Sequence, residues 1–131
     1  DKFAFADDSR TSLGTGLSSA RRFLGAMANS GTAGYFTGGR TTAQVDTVDK
    51  FAFSDDSRTT LASGLSAARG YLAAMAHSGT AGYVGGGYNA AFSEVDTVDK
   101  FAFSDDSRST LGTGLSVANR QEAAMADSGV L

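Results

Sequence analysis

The stretch VDTVDKFAFSDDSR occupies residues 45–58 and recurs, letter for letter, at residues 95–108. A near copy, DKFAFADDSR, opens the chain at residues 1–10. In an extended chain Val95, Thr97, Asp99, Phe101 and Phe103 share one face, and Asp96, Val98, Lys100 and Ala102 share the other. The SDDSR that follows is turn chemistry, because Asp and Ser side chains bond their own backbone. A strand and its turn, written three times, make this a repeat chain, and the repeat decides the fold before any other signal.

Working outward, Asp1, Asp49 and Asp99 align, as do Arg10, Arg58 and Arg108, and Met27, Met75 and Met125. The periods are 48 and 50 residues. The two extra residues fall in one place, GGRTTAQVD at 38–46 against GGYNAAFSEVD at 86–96. A strand could not absorb them without a register slip, so they mark a surface loop.

Each unit contains four strand-sized segments. SAARGYLAAMAHSG (66–79) is rich in small residues, TAGYVGGGY (80–88) is a short apolar run, FSEVDTVDKFAF (92–103) alternates, and TLGTGLS (110–116) is a short run weakened by glycine. Strands are expected near 23–28, 33–37, 45–53 and 60–64, and again one period on. The first segment also reads as a helix, since Ala, Leu and Met favour one, Ser66 could cap its start and Gly79 its end. Gly25 and Gly70 would each cost such a helix about 1 kcal/mol, which favours the strand reading. Four strands per roughly 50 residues is the period of a propeller blade. The expected class is therefore all-β, with blades of four antiparallel strands and about 2.7 repeats.

This order of features resembles the kelch repeat. Arg21 is followed by RFLGAMANSGTAGYFTGG (22–39), and Arg69 by GYLAAMAHSGTAGYVGGG (70–87). Both then run through a variable loop to VDTVDKFAF. Leu13, Leu61 and Leu111 stand where kelch blades usually carry Trp. The resemblance implies a β-propeller with the first strand of each blade innermost. It divides the chain into a partial blade at 1–20, with third and fourth strands only, full blades at 21–68 and 69–118, and the first strand of a further blade at 119–131. Propellers have 4 to 8 blades, so completion is expected from further blades of a longer chain or from self-association.

Composition narrows the function classes. The net charge is −3, and the 11 Lys and Arg residues recur singly, so no basic stripe for nucleic acid is present. There is no Cys, hence no disulfide or thiolate metal site. No apolar run approaches the roughly 20 residues of a membrane span.

The pairs Asp7-Asp8, Asp55-Asp56 and Asp105-Asp106 read as turns and not as calcium loops, because adjacent carboxylates point apart in extended chain. Asp46, Asp49, Asp96 and Asp99 recur with the repeat, whereas a catalytic pair is needed once. His77 is the only histidine, and Asn29 and Asp127 hold its place in the other copies, which points to a turn. GGGY (85–88) lacks the Lys and the following helix of a phosphate loop. No metal, cofactor or catalytic residue is expected.

Structural roles are expected for the diglycines Gly38-Gly39 and Gly86-Gly87, for Arg21 and Arg69 beside the inner strands, and for Phe51, Phe53, Phe101 and Phe103 as core between blades, with Phe3 and Phe5 in the same role. Binding is expected at the variable loop, through Tyr88, Asn89, Phe92 and Arg40, since aromatic residues in loops anchor partners. The reading is a non-catalytic binding or structural module, a rigid scaffold presenting loops for protein or glycan recognition, as in a surface or virion attachment protein. The alternative is part of a propeller enzyme whose catalytic residues lie in blades outside this chain.

Overall fold

The computed structural model describes residues 1–4 and 6–120. Phe5 and the expected strand at the end of the chain, from residue 121 on, lie outside the described residues. The described part is all-β and contains no helix. β1 (Lys2–Phe3) and β2 (Arg10–Thr11) form a short hairpin. β3 (Gly25–Asn29), β4 (Ala33–Thr37), β5 (Val48–Ala52) and β6 (Arg58–Thr60) follow as an antiparallel meander in that order, the first sheet. β7 (Arg69–Gly70) pairs with β10 (Tyr88–Asn89). β8 (Ala73–His77), β9 (Ala81–Gly85), β11 (Val98–Ala102) and β12 (Arg108–Thr110) build a second meander of the same design.

The repeated phrase explains the repeated geometry. Asp55 Oδ1 accepts the Ser57 amide at 3.0 Å and Asp105 Oδ1 the Ser107 amide at 3.0 Å. In the hairpin Asp7 does the same for Ser9 at 3.1 Å. The side chains of Ser9, Ser57 and Ser107 first, and these amide bonds second, hold the carboxyls of Asp7, Asp55 and Asp105 below their ordinary range. The second Asp of each pair is left-handed, with φ of 55° at Asp8 and 58° at Asp56 and Asp106, a region that Asp tolerates better than most residues. So the first Asp builds the turn and the second is turned out of it.

Two strand boundaries differ from expectation. The fourth strand is Arg58–Thr60 and Arg108–Thr110, where 60–64 and its repeat were expected. Thr60 Oγ1 donates to Asp49 at 2.7 Å, and the chain then folds back so that the Leu65 amide reaches the Asp46 carbonyl at 2.8 Å. Gly64 lies so near that carbonyl that a Cβ would come within 2.5 Å of it. Glycine is there for close approach, not within a strand. The first strand of this sheet starts at Gly25, not residue 23, because Phe23 is left-handed with φ 59°.

The core lies between the two sheets. Met27, Tyr35 and Lys50 are paired across the first sheet and share the face toward the second. Val84 and Phe101 are fully buried in the second sheet, and Phe103 stacks on Tyr35 with centroids 5.2 Å apart. Gly82 leaves the space that Met27 Sδ fills.

The expected core role fails at Phe53 and Phe3. Phe103 is 8% exposed, but its counterpart Phe53 is 45% exposed, and Phe3 is also exposed. Phe51 is half-buried where Phe101 is fully buried. The reason is the neighbour. Phe101 and Phe103 pack against a four-stranded sheet, whereas Phe51 and Phe53 face the two-stranded hairpin. A groove of about 1080 Å³ lies there, lined by Phe3, Leu13, Leu17, Phe36, Phe51 and Phe53 among others.

Candidate functional site

Each sheet is joined to the segment before it by one buried network. Arg21 Nη1 donates to Asp49 Oδ2 at 2.8 Å, and Arg69 Nη2 to Asp99 Oδ2 at 3.0 Å, with all four side chains essentially buried. The Ser18 amide and hydroxyl also reach Asp49, and those of Ser66 reach Asp99. Thr60 and Thr110 donate to the other carboxylate oxygen. Arg21 and Arg69 each give a further bond to a β-strand carbonyl, of Phe36 and Val84. Burial alone would raise the Asp49 carboxyl, but the bonds from Thr60, Ser18 and Arg21 outweigh it and bring it to about 2. Burial pulls the Arg69 guanidinium down, and Asp99 partly offsets that. Buried pairs with every oxygen engaged are joints, and they leave no charge free for a ligand.

The diglycines belong to the same joints. Gly38 and Gly39 have φ of 58° and 106°, and Gly86 and Gly87 have 63° and 106°. The Gly39 amide donates to the Arg69 carbonyl at 2.9 Å, and the Gly87 amide to that of Asn119 at 2.8 Å. A Cβ on Gly39 would stand 2.8 Å from the Arg22 carbonyl. The backbone of one unit thus grips the start of the next, at positions only glycine fits.

Beyond these joints the variable loops form an aromatic and cationic surface. Phe23 and Tyr71 stack with centroids 3.9 Å apart and planes 17° from parallel. Tyr71 meets Tyr88 edge-on at 6.4 Å, and Tyr88 meets Phe92 at 5.9 Å. Arg22 lies 5.3 Å over Phe23, Arg40 5.9 Å over Phe92, and Arg120 4.8 Å over Tyr88. Arg120 also pairs with Glu94 at 3.1 Å. Phe23 and Phe92 are exposed. Beside them a cleft of about 410 Å³ is lined by Arg21, Arg22, Arg40, Thr41 and Thr42. Arg40 Nε and Gln44 Nε2 are buried donors without an acceptor among the described residues, as are the Nε atoms of Arg21, Arg58, Arg69 and Arg108.

Three of the four aromatics are left-handed: Phe23 (φ 59°), Tyr71 (φ 58°) and Phe92 (φ 60°). For bulky residues this is strain of about 1–3 kcal/mol each, which collects at sites where side-chain placement matters.

Of the residues expected to bind, Arg40, Tyr88 and Phe92 come together here. Asn89 is the loop's brace, its Oδ1 accepting the amides of Ala91 and Ser93 at 2.9 and 3.0 Å. The length difference lies inside one closed loop: Arg40 bridges Gln44 in the first copy and Tyr88 bridges Glu94 in the second. Sequence reasoning assigned Phe23 and Tyr71 to inner strands and passed over Arg22 and Arg120. The available signal was an aromatic two residues after Arg21 and Arg69.

No protein-family model matches the chain, and no curated protein matches it.

Proposed function

We propose that this chain is a non-catalytic recognition module, in which kelch-like propeller blades hold an aromatic and arginine rim for an acidic glycan. The observation that carries the reading is the run Phe23, Tyr71, Tyr88 and Phe92 with Arg22, Arg40 and Arg120 placed over its rings. Flat aromatic faces stack on the C–H faces of sugar rings. Forked guanidinium groups suit carboxylate or sulfate. Left-handed aromatics pinned by stacking are pre-organised, so little entropy is lost on binding.

Calorimetric titration with uronic-acid oligosaccharides and with neutral oligosaccharides of equal length tests this. Binding of the acidic series is expected, at least about tenfold stronger than the neutral one, the equivalent of one charge-assisted hydrogen bond. Phe92→Ala and Arg40→Ala should each weaken it while leaving thermal unfolding in place. Equal binding of both series, or binding that ignores both substitutions, refutes the proposal.

A further inference from the structure

One contact between sheets occurs twice within the chain. Lys50 Nζ pairs with Asp106 Oδ2 at 2.6 Å, and Tyr35 Oη donates to the same Asp at 2.7 Å. One unit earlier, Lys2 Nζ pairs with Asp56 at 2.9 Å. In both cases the lysine of one unit meets the second, left-handed Asp of the next unit's turn. Lys100 is the third such lysine and Asp8 the third such aspartate. Among the described residues Lys100 is in no ion pair, lying 6.0 Å over the Tyr83 ring. Asp8 is exposed and in no ion pair either, yet it holds the same φ as Asp56 and Asp106.

The apolar part of the face is open in the same way. Met75, the counterpart of Met27, is 45% exposed where Met27 is 6% exposed, and Tyr83, the counterpart of Tyr35, is only half-buried. So the chain carries the lysine side of this contact at one end and the aspartate side at the other. We propose that the outer face of the second sheet, with Met75, Tyr83 and Lys100, docks on the N-terminal hairpin of a second copy of this chain, Lys100 and Tyr83 meeting that copy's Asp8. This rests on the repeated contact and not on the proposed glycan function.

The joint network points the same way and sets the strength. Asp1 already holds Ser12 Oγ at 2.9 Å, as Asp49 holds Thr60. Ser116 occupies the place of Ser18 and Ser66 in the last unit, but Asn119 stands where Arg21 and Arg69 stand. With no buried arginine, the contact between copies is weaker than the joints within a chain, and its association is concentration-dependent.

Sedimentation of the full chain over a concentration series tests it, using Asp8→Lys and Lys100→Asp. Both positions are at the surface, and unchanged circular dichroism would confirm folding. The natural chain should associate. Asp8→Lys sets lysine against lysine at each contact and Lys100→Asp sets aspartate against aspartate, so each variant alone should associate roughly tenfold or more weakly. In an equimolar mixture every contact between unlike chains regains a Lys–Asp pair, and association should return. A natural chain that remains monomeric throughout, variants that associate as it does, or a mixture that fails to recover overturns the proposal.

Discussion

Phe53→Ala and Phe103→Ala remove the same side chain from the same fourteen-residue phrase, one in each copy. Local propensity, turn chemistry and the unfolded chain around the site are matched, so a difference in cost reports the neighbour alone. Phe103 is nearly buried and stacks on Tyr35. Its removal forfeits most of the transfer free energy of a phenyl group and leaves a cavity under a four-stranded sheet, a loss of about 3–5 kcal/mol. Phe53 keeps nearly half its surface in water and lies over Gly34 at the edge of an open groove. Its transfer term is about half as large, roughly 1 kcal/mol, and water fills the space left, so no cavity term is added.

The expected gap is therefore about 2–4 kcal/mol, which for a chain of this size is roughly 7–15 °C in melting temperature. Tyrosine fluorescence and circular dichroism during urea and thermal unfolding measure it, since the chain has no Trp. Equal losses at the two positions would refute the claim that burial of the phrase is set by the preceding sheet. A larger loss at Phe53 would mean that the groove at the N-terminal end is closed in solution.

Arg69→Ala should cost about 3 kcal/mol in urea unfolding, because it leaves buried Asp99 with only the longer 3.6 Å contact to Arg108. Arg69→Met paired with Asp99→Leu should cost much less. The depressed Asp49 carboxyl adds stability that is complete above its ordinary 3.8 and disappears as pH falls toward about 2, worth roughly 2 kcal/mol; Asp49→Asn should flatten that part of the stability–pH curve. Tyr35 is raised above the ordinary tyrosine range by burial, then by its bond to Asp106, so in a spectroscopic alkaline titration it should ionise last of the four tyrosines and its stabilisation should be lost as pH rises. Deleting Ala90 and Ala91 shortens the second loop to the three residues between Arg40 and Gln44 in the first, so stability should change by less than about 0.5 kcal/mol while oligosaccharide binding falls.

The strands that were legible in the sequence are those whose causes are local. Alternation along VDKFA and the Asp–Ser turn after it need only neighbours in the chain, and β5 and β11 lie within the expected spans. The loop insertion was legible because a change of length cannot hide in a strand. The fourth strand was misplaced because Gly64 and Gly114 answer to the carbonyls of Asp46 and Asp96, eighteen residues earlier in each case, and a glycine's reason for close approach leaves no mark in its own segment. The exposure of Phe53 could not be read at all, since its phrase is identical to that around Phe103. The left-handed aromatics were hidden for a related reason: nothing in RRF or RGY announces a positive φ, and Phe23 and Tyr71 are held there by contacts made after folding.

Comparing the copies with one another locates function more sharply than either copy alone. Between the two units with complete joints the positions repeat without change: Asp49 and Asp99, Arg21 and Arg69, Ser18 and Ser66, Thr60 and Thr110, and both diglycines; outside them Ser12 takes the place of Thr60 and Asn119 that of Arg69. The Arg–Asp pairs among them are buried with every carboxylate oxygen accepting a bond, so a substitution there would strand a partner. The rim positions do not repeat. Arg22 becomes Gly70 and then Arg120, Phe23 becomes Tyr71, and Arg40 becomes Tyr88 in a loop two residues longer. If the rim were merely solvated surface, change there would be free in any direction, toward Ser, Lys or Glu as readily as toward aromatics. Phe23 to Tyr71 and Arg40 to Tyr88 each keep a planar side chain, whereas Gln121 stands at the first of these positions in the last copy, the loop RTTAQ (40–44) has no aromatic to answer Phe92, and Gly70 lies against the backbone of Gly39, where no side chain fits easily. Two rim positions thus keep a planar group while their identity changes, a pattern that fits the proposed stacking surface and that the buried joints, held by charge and hydrogen bonds, do not share.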